Sequence, residues 1–149
     1  MKNYEKLQEL KPEIFKRLTG VKPHTFKAML QECELHHEKK KAKGGKPNKL
    51  SVSTQILLML EYYREYRSMA HMAFDYEVSE ATVSRVIKEI ERVLLSSGKF
   101  SLPSKKALNA KIKVFKIVAQ KYRNRRKKFG LRFNLICALI NWDRGFAVV

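Results

Sequence analysis

The sequence predicts an all-α fold, in which a bundle of short helices is followed by a basic helical tail. Apolar residues recur at helical spacing along most of the chain, and turn residues such as Gly20 and Gly98 separate these stretches. No segment shows the strict alternation of apolar and polar residues that is typical of a half-buried β-strand. With 149 residues, of which 44% are hydrophobic, the chain is long enough to bury a core of its own.

The N-terminal part is predicted to contain two units joined by a linker. Residues 1–38 form N-terminal helices, with one helix or a helix pair over Tyr4–Leu18 and another that starts near Pro23. Residues 39–49 are rich in Lys and contain two Gly and one Pro, so they predict a loop or flexible linker. Residues 50–104 form the second unit, whose first helix begins with Ser53 as its N-cap and ends near Arg67.

The C-terminal part, residues 105–149, is predicted to be the basic tail. It contains one helix over Lys106–Arg126 and a last apolar helix over Leu135–Asn141. The longest apolar runs of the chain are too short to cross a bilayer, and the polar start shows no secretory signal. The two cysteines lie far apart and form no paired motif. We therefore expect a cytoplasmic protein with no membrane association.

Positive charge is the main constraint on the partner. The formal net charge is +18, and it is unevenly distributed. Residues 1–91 hold 17 basic and 13 acidic residues (net +4), whereas residues 92–149 hold 15 basic residues and one acid, Asp143 (net +14). Basic side chains that neutralise phosphates release condensed counterions, which favours binding. The charge predicts a polyanionic partner without specifying which one.

Residues 72–90, MAFDYEVSEATVSRVIKEI, have the pattern of a helix-turn-helix. Two short helices are predicted at Met69–Asp75 and Glu80–Leu95, with Ala73 as the small residue where they cross. Val78 points inward from the turn, and Ser79 caps the second helix. The inner face of that helix is formed by apolar residues, namely Val83, Val86, Ile87, Ile90 and Leu94. A helix-turn-helix requires this spacing.

The outward face of the second helix predicts a contact with the major groove of DNA. Arg85 is suited to guanine edges, and the hydroxyls of Ser79, Thr82 and Ser84 are suited to bases or phosphates. Lys88 lies one turn later and is expected at a phosphate. We therefore predict a helix-turn-helix DNA-binding bundle; the alternative is an ordinary amphipathic helix pair with a solvated polar face.

Glu77 departs from the usual helix-turn-helix pattern. The corresponding turn position usually holds glycine, because the backbone there often needs a positive φ. A positive φ is costly for Glu but not forbidden.

Two further basic segments are candidates for DNA contacts. Lys46 lies in KAKGGKPNK, which resembles arms that enter an AT-rich minor groove, although a merely flexible basic loop is the alternative. Six of the eight residues in Lys121–Lys128 are basic, among them Arg123, Arg125 and Arg126. This cluster predicts a phosphate-tracking patch, with a solvated helix face as the alternative.

Two groups of residues that resemble ligand sites are predicted to be structural. Cys33, His36 and His37 fit no closed four-ligand metal pattern, so no metal is expected there. Packing between helices is predicted for the large aromatic residues, namely Tyr62, Tyr63, Tyr66 and Trp142.

Several stretches of the chain resemble bacterial insertion-sequence transposases of the DDE type. FKRLTGVKPHTFKAML, GGKPNKLS, LEYYREYRSMAHMAFDYEVSEATVSRVIKEIE and GKFSLP resemble the N-terminal region of these enzymes. The tail sequence, KVFKIVAQKYRNRRKKFGLRFNLICALIN, resembles their extreme C-terminal end. Between these regions the family has a ribonuclease-H-like sheet, in which two aspartates and a glutamate hold two divalent metals.

The resemblance implies an internally deleted transposase. Ser104–Lys111 runs directly into the tail, and Lys106 stands where the family has its glutamate. After Glu91 the one remaining carboxylate is Asp143, which by itself cannot hold two metals. We therefore expect a junction near Ala107–Lys111, no catalytic or metal-ligating residues, no cofactor where the family uses Mg²⁺, and no small-molecule substrate.

The resemblance implies double-stranded DNA as the partner, specifically transposon ends, and a location at the nucleoid. If expressed, such a protein could compete with an intact transposase for those ends. Three alternatives remain open: a subunit whose catalysis is supplied by another chain, a small helix-turn-helix transcriptional regulator or transposase-competing repressor, and a basic RNA-binding protein.

The tail raises a packing problem of its own. In the family its last helix packs on the catalytic sheet, which the resemblance implies is missing here. The apolar residues of the tail that then need another partner are Phe129, Leu131, Phe133, Leu135, Ile136 and Leu139. They can fold back on the N-terminal helices, pair between chains or stay exposed. We predict poor stability or self-association for the tail.

Overall fold

The computed structural model describes residues 4–44, 48–100 and 129–145. These residues form seven α-helices and no strand, which confirms the predicted all-α class. The helices are α1 (Tyr4–Gln8), α2 (Pro12–Thr19), α3 (Pro23–Ala42), α4 (Val52–Glu65), α5 (Met69–Asp75), α6 (Glu80–Ser96) and α7 (Phe129–Asp143). None of the helices described is long and apolar enough to cross a membrane. The predicted basic helix at Lys106–Arg126 and the predicted junction lie outside the described residues.

Two predicted boundaries are wrong by a few residues. The N-cap of α4 is Ser51, not Ser53, because Ser51 has an extended backbone and its hydroxyl accepts a hydrogen bond from the Thr54 amide at 3.3 Å. Helix α4 ends at Glu65 rather than near Arg67, because Tyr66 adopts a φ of 53°. A left-handed residue at this position is a common end for a helix.

Helix α3 extends to Ala42, four residues into the predicted linker at residues 39–49. Lys and Ala are good helix formers, so the lysine run does not by itself stop a helix. Lysines in the last turn are also favoured by the negative end of the helix dipole. The extension places Lys39, Lys40 and Lys41 on a rigid helix instead of a loop.

Helix α4 is the centre of the bundle. Its residues Thr54–Tyr63 are all buried, and the helix packs against α1, α2, α3 and α6. A helix that is buried on every side must satisfy its polar groups internally. Gln55 donates to the Leu50 carbonyl at 2.8 Å, and Glu61 accepts hydrogen bonds from Tyr76 and Arg67, both at 2.9 Å.

The aromatic residues lie where packing was predicted. Tyr62 and Tyr63 are fully buried on α4, and Tyr66 is half-buried beside Tyr62. Trp142 of α7 packs edge-on against Phe100, with 5.3 Å between ring centroids. These rings therefore belong to the core and its edge rather than to a base-stacking surface.

The tail helix α7 folds back onto the N-terminal helices, which is one of the three outcomes expected for it. It packs against α3 and α6, and Leu135, Ile136 and Leu139 are fully buried in the common core. Leu131 keeps 43% of its surface exposed, and Phe133 is half-buried. Most of the described apolar face of α7 thus has a partner within the same chain, while the predicted poor stability or self-association of the tail stays a prediction.

A buried ion pair joins α7 to α6. Arg132 Nε donates to Glu91 Oε1 at 2.6 Å, and the Tyr63 hydroxyl donates to the same oxygen at 2.9 Å. The side chains of Arg132 and Glu91 are only 8% and 1% exposed. Burial, together with the nearby Glu91 carboxylate, raises the pKa of Tyr63 well above its usual value, so Tyr63 stays a hydrogen-bond donor.

A second contact joins α7 to the start of α3. Helix α3 has no side-chain cap of its own and no acidic residue in its first turn. Asp143, the last residue of α7, supplies the missing cap and the missing negative charge. Its carboxylate accepts hydrogen bonds from the Lys22 amide at 2.6 Å and from the Thr25 hydroxyl at 2.7 Å. Lys16 forms an ion pair with the other oxygen at 2.6 Å. An anion at a helix N-terminus also interacts favourably with the helix dipole.

We expect Arg132→Met to lower the free energy of unfolding by about 3 kcal/mol or more, because it leaves the buried Glu91 carboxylate without its cation. The double variant Arg132→Met/Glu91→Gln removes both charges and should lose less than Arg132→Met alone. Urea denaturation followed by circular dichroism measures both values. A double variant that is less stable than Arg132→Met would contradict the ion pair.

Asp143 should make stability depend on acidic pH. Burial raises the pKa of Asp143, but hydrogen bonds from Lys16, Thr25 and the Lys22 amide together lower it below its ordinary value. A carboxyl whose pKa is lower in the folded state stabilises the fold above its unfolded pKa of about 3.9 and loses that contribution as the pH falls through the folded pKa.

The matched control is Asp143→Asn, which keeps the shape and cannot ionise. The difference in unfolding free energy between the natural protein and Asp143→Asn should be largest at about pH 5 and should shrink below about pH 4. Urea denaturation at each pH gives this difference. A difference that stays constant over the range would show that the Asp143 charge contributes nothing.

Candidate nucleic-acid interface

Helices α5 and α6 form the predicted helix-turn-helix. Helix α5 has the predicted bounds, and α6 begins at the predicted Glu80 and ends one residue beyond the predicted Leu95. The N-cap of α6 is Ser79, as predicted, and its hydroxyl accepts from the Thr82 amide at 3.2 Å. Local sequence therefore determines the point at which the second helix starts.

The turn between α5 and α6 confirms the positive φ expected for Glu77, which has a φ of 53°. The Glu77 amide donates to the Phe74 carbonyl at 3.2 Å, and the Val78 amide donates to the Ala73 carbonyl at 3.0 Å. This pair of bonds is a Schellman motif, which satisfies the last carbonyls of a helix and needs one left-handed residue. Lys49 Nζ adds a bond of 2.6 Å to the Glu77 carbonyl.

The inner face of α6 anchors it to the core. Ala73 of α5 is buried where α5 was predicted to cross α6, and Val78 packs against the core from the turn between the two helices. The predicted inner residues of α6 are all buried, namely Val83, Val86, Ile87, Ile90 and Leu94. Together with the Glu91 ion pair, these contacts fix the direction in which the opposite face of α6 points.

The predicted DNA-contact residues on α6 differ in accessibility. Arg85 and Lys88 are exposed, whereas Thr82 and Ser84 are half-buried. Arg85 Nε donates to the Ala81 carbonyl at 3.2 Å, which holds the side chain along the helix. Ser79 is exposed but caps α6, and its hydroxyl lies 2.9 Å from that of Thr82. Their contacts with DNA stay predictions.

Four other predicted DNA-contact residues, Lys46, Arg123, Arg125 and Arg126, lie outside the described residues. The minor-groove arm and the phosphate-tracking patch that they represent therefore stay predictions.

The structure adds basic residues that the sequence reasoning missed. Arg92 is exposed, and it continues the basic stripe of Arg85 and Lys88 at spacings of three and four along α6. That helical spacing is visible in the sequence and could have identified Arg92. Lys40 and Lys41 lie beside α6, and this placement depends on the extension of α3, which composition alone does not reveal.

Cys33 and Cys137 are both buried, free thiols. Burial and the nearby Glu32, Glu34 and Glu89 raise the pKa of the Cys33 thiol to about 12, so it stays protonated. Burial raises the pKa of Cys137 to about 11. Within the part of the chain that the structure describes, no three His, Cys, Asp or Glu side chains come together in a way that could hold a metal ion.

Comparison with known proteins identifies relatives for the same region. Residues 48–100 match the family described as the helix-turn-helix of DDE superfamily endonuclease. Over 104 residues the chain is 42% identical to the probable transposase for insertion sequence element IS702 of Microchaete diplosiphon. That match covers 70% of this chain and 37% of the relative, so the chain spans little more than a third of the relative's length. No solved structure matches the chain significantly.

We expect Glu77→Gly to raise the free energy of unfolding by about 1 kcal/mol, because glycine adopts a positive φ without the steric cost of a Cβ. Glu77→Ala is the matched control, since it removes the charge and keeps the Cβ. Thermal and urea denaturation of both variants provide the comparison. An equal gain in the two variants would assign the effect to charge instead of to backbone conformation.

Proposed function

We propose that the chain binds transposon-end DNA without cutting it, because residues 48–100 match the helix-turn-helix of DDE superfamily endonuclease and 104 residues are 42% identical to a probable insertion-sequence transposase. The observation that carries this proposal is the geometry of α6. Its inner face is fixed in the core, while its outer face presents Arg85, Lys88 and Arg92 to solvent. A helix held in this way is suited to enter a major groove.

The proposed roles follow the position of each residue on α6. Thr82 and Arg85 lie in the first two turns, the part of a recognition helix that reaches base edges. Arg85 would recognise a guanine, and Thr82 would contact a base or a phosphate. Lys88 and Arg92 lie further along the helix and would contact phosphates. A protein with this role would be located with the DNA in the cytoplasm.

The absence of strand cleavage is proposed from the carboxylates. A pair of divalent metals needs several carboxylates that converge on one site. Here Glu61 binds Arg67 and Tyr76, Glu91 binds Arg132 and Tyr63, and Asp143 binds the start of α3. These three acids are committed to structural contacts and do not fit a metal pair.

The tail supports an origin by internal deletion. The tail sequence resembles the C-terminal end of DDE transposases. In this chain it comes directly after the helix-turn-helix region, and the acids of the family's catalytic sheet are missing between the two. We propose that such a chain would occupy transposon ends and compete with an intact transposase. Self-association through the tail stays a prediction, and the packing of α7 on its own chain removes one reason to expect it.

The experiment is selection of binding sites from a randomised duplex library, followed by affinity measurements on the selected duplex. Arg85→Ala should weaken binding roughly tenfold and relax the preference at one base position, because a bidentate Arg–guanine pair discriminates by about 1–3 kcal/mol. Arg17→Ala, an exposed Arg on α2, is the matched control and should keep both affinity and preference.

Two outcomes would contradict the proposal. If Arg85→Ala weakens binding equally for every sequence, Arg85 does not read a base. In the same reactions with Mg²⁺ or Mn²⁺, we expect the duplex to remain intact. Strand cleavage that a mock preparation lacks would show that the chain is catalytic.

A further inference from the structure

A groove of about 930 Å³ runs between the C-terminal end of α3 and the N-terminal half of α6. Its lining includes Lys40 and Lys41 of α3, Lys49 beside the turn that precedes α6, and Ser79, Thr82 and Arg85 at and after the start of α6. Among the charged side chains that line it, four are basic (Lys40, Lys41, Lys49, Arg85) and two are acidic (Glu77, Glu89), which leaves a net charge of +2. The groove therefore attracts an anion to the side of α6 on which Thr82 and Arg85 lie.

The lysines of this groove are placed by specific contacts. Lys49 Nζ donates to the neutral Glu77 carbonyl at 2.6 Å, so its charge is not neutralised there. An ammonium group has three donors, and this bond uses one of them. Lys40 forms an ion pair with Glu89 at 2.7 Å, which neutralises one of the two acids in the groove. Lys41 is exposed on the adjacent position of α3.

The basic surface continues along α6. A second groove, of about 740 Å³, includes Lys88 and Arg92 and shares Lys40, Arg85 and Glu89 with the first. From Ser79 to Arg92 the helix rises by about 20 Å. Such a length spans several phosphates of one DNA strand, which repeat every 3.4 Å or so along the helix axis of the duplex.

We propose that the groove between α3 and α6 binds the phosphate backbone of the DNA strand that borders the major groove entered by α6. Lys41 and Lys49 are its phosphate-contact residues. The inference rests on the proposed DNA-binding function and extends the interface from α6 to a second element. A recognition helix reads bases reliably only when backbone contacts fix its depth and orientation, and α3 lies where such contacts would form.

The contacts of α3 place its lysine-bearing end beside α6. The N-terminus of α3 is capped by Asp143 of α7, and near its C-terminal end Lys40 forms an exposed ion pair with Glu89 of α6.

The test is the salt dependence of binding to a mixed-sequence DNA duplex, measured by fluorescence anisotropy. Lys41→Gln/Lys49→Gln should reduce the slope of log affinity against log salt by about 1.8, or about 0.9 for each lost phosphate contact. Lys6→Gln/Lys11→Gln is the matched control, because it removes two exposed lysines that line neither groove. Its slope should change much less.

A third variant tests whether the charge of Lys49, and not only its hydrogen bond to the Glu77 carbonyl, accounts for the slope. Lys49→Arg keeps the positive charge and should keep the slope of the natural protein, while circular dichroism verifies that all variants are folded. An equal loss of slope in both lysine pairs would overturn the groove proposal and leave the proposed function intact. If the natural protein fails to bind the duplex with any salt dependence, the proposed function itself is wrong.

Discussion

The buried ion pair between Glu91 and Arg132, together with Tyr63, joins three helices that are far apart in the sequence, namely α4, α6 and α7. Glu91 lies on α6, Arg132 lies on the tail helix α7, and Tyr63 of the central helix α4 donates to the same carboxylate oxygen. Since both charged side chains are almost completely buried, each needs the other to offset the loss of water. Arg132 also stacks near the ring of Tyr62, at 5.2 Å from its centroid. The cluster thereby adds to the apolar contacts that hold α6 in the core and leave its basic face exposed.

The tail helix α7 also contacts helix α3, which lies on the other side of the groove from α6. The first turn of α3 is capped by Asp143 of α7, and its last turns reach the groove beside α6. The tail helix α7 therefore contributes to the positions of both helices beside the groove, because Arg132 pairs with Glu91 of α6 and Asp143 caps α3, which carries Lys41. In the part of the chain that the structure describes, α7 therefore packs on α3 and α6 and contributes to their common core.

The helix-turn-helix could be predicted from the sequence nearly residue by residue because its signals are local. Ser79 caps α6 through its own hydroxyl, Ala73 of α5 and Val78 of the turn pack inward, and Glu77 has the positive φ expected at its position in the turn. The groove between α3 and α6 could not be predicted in this way. Lys40 and Lys41 are compatible with a linker and with a helix, and their position beside α6 depends on the packing of α3. The DNA contacts of Lys46, Arg123, Arg125 and Arg126 stay predictions.

The sequence by itself determined the all-α class, the bounds of α5, the start of α6 and the face of α6 that is left for a partner, because caps, turns and apolar spacing act over a few residues. Only the tertiary structure decided where α7 packs, which cation neutralises Glu91 and what caps α3. Asp143 and Lys22 are 121 residues apart, and nothing in the neighbourhood of either one indicates the other. Contacts of this kind form because a buried charge or an uncapped helix end must find a partner, and the fold determines which partner is within reach.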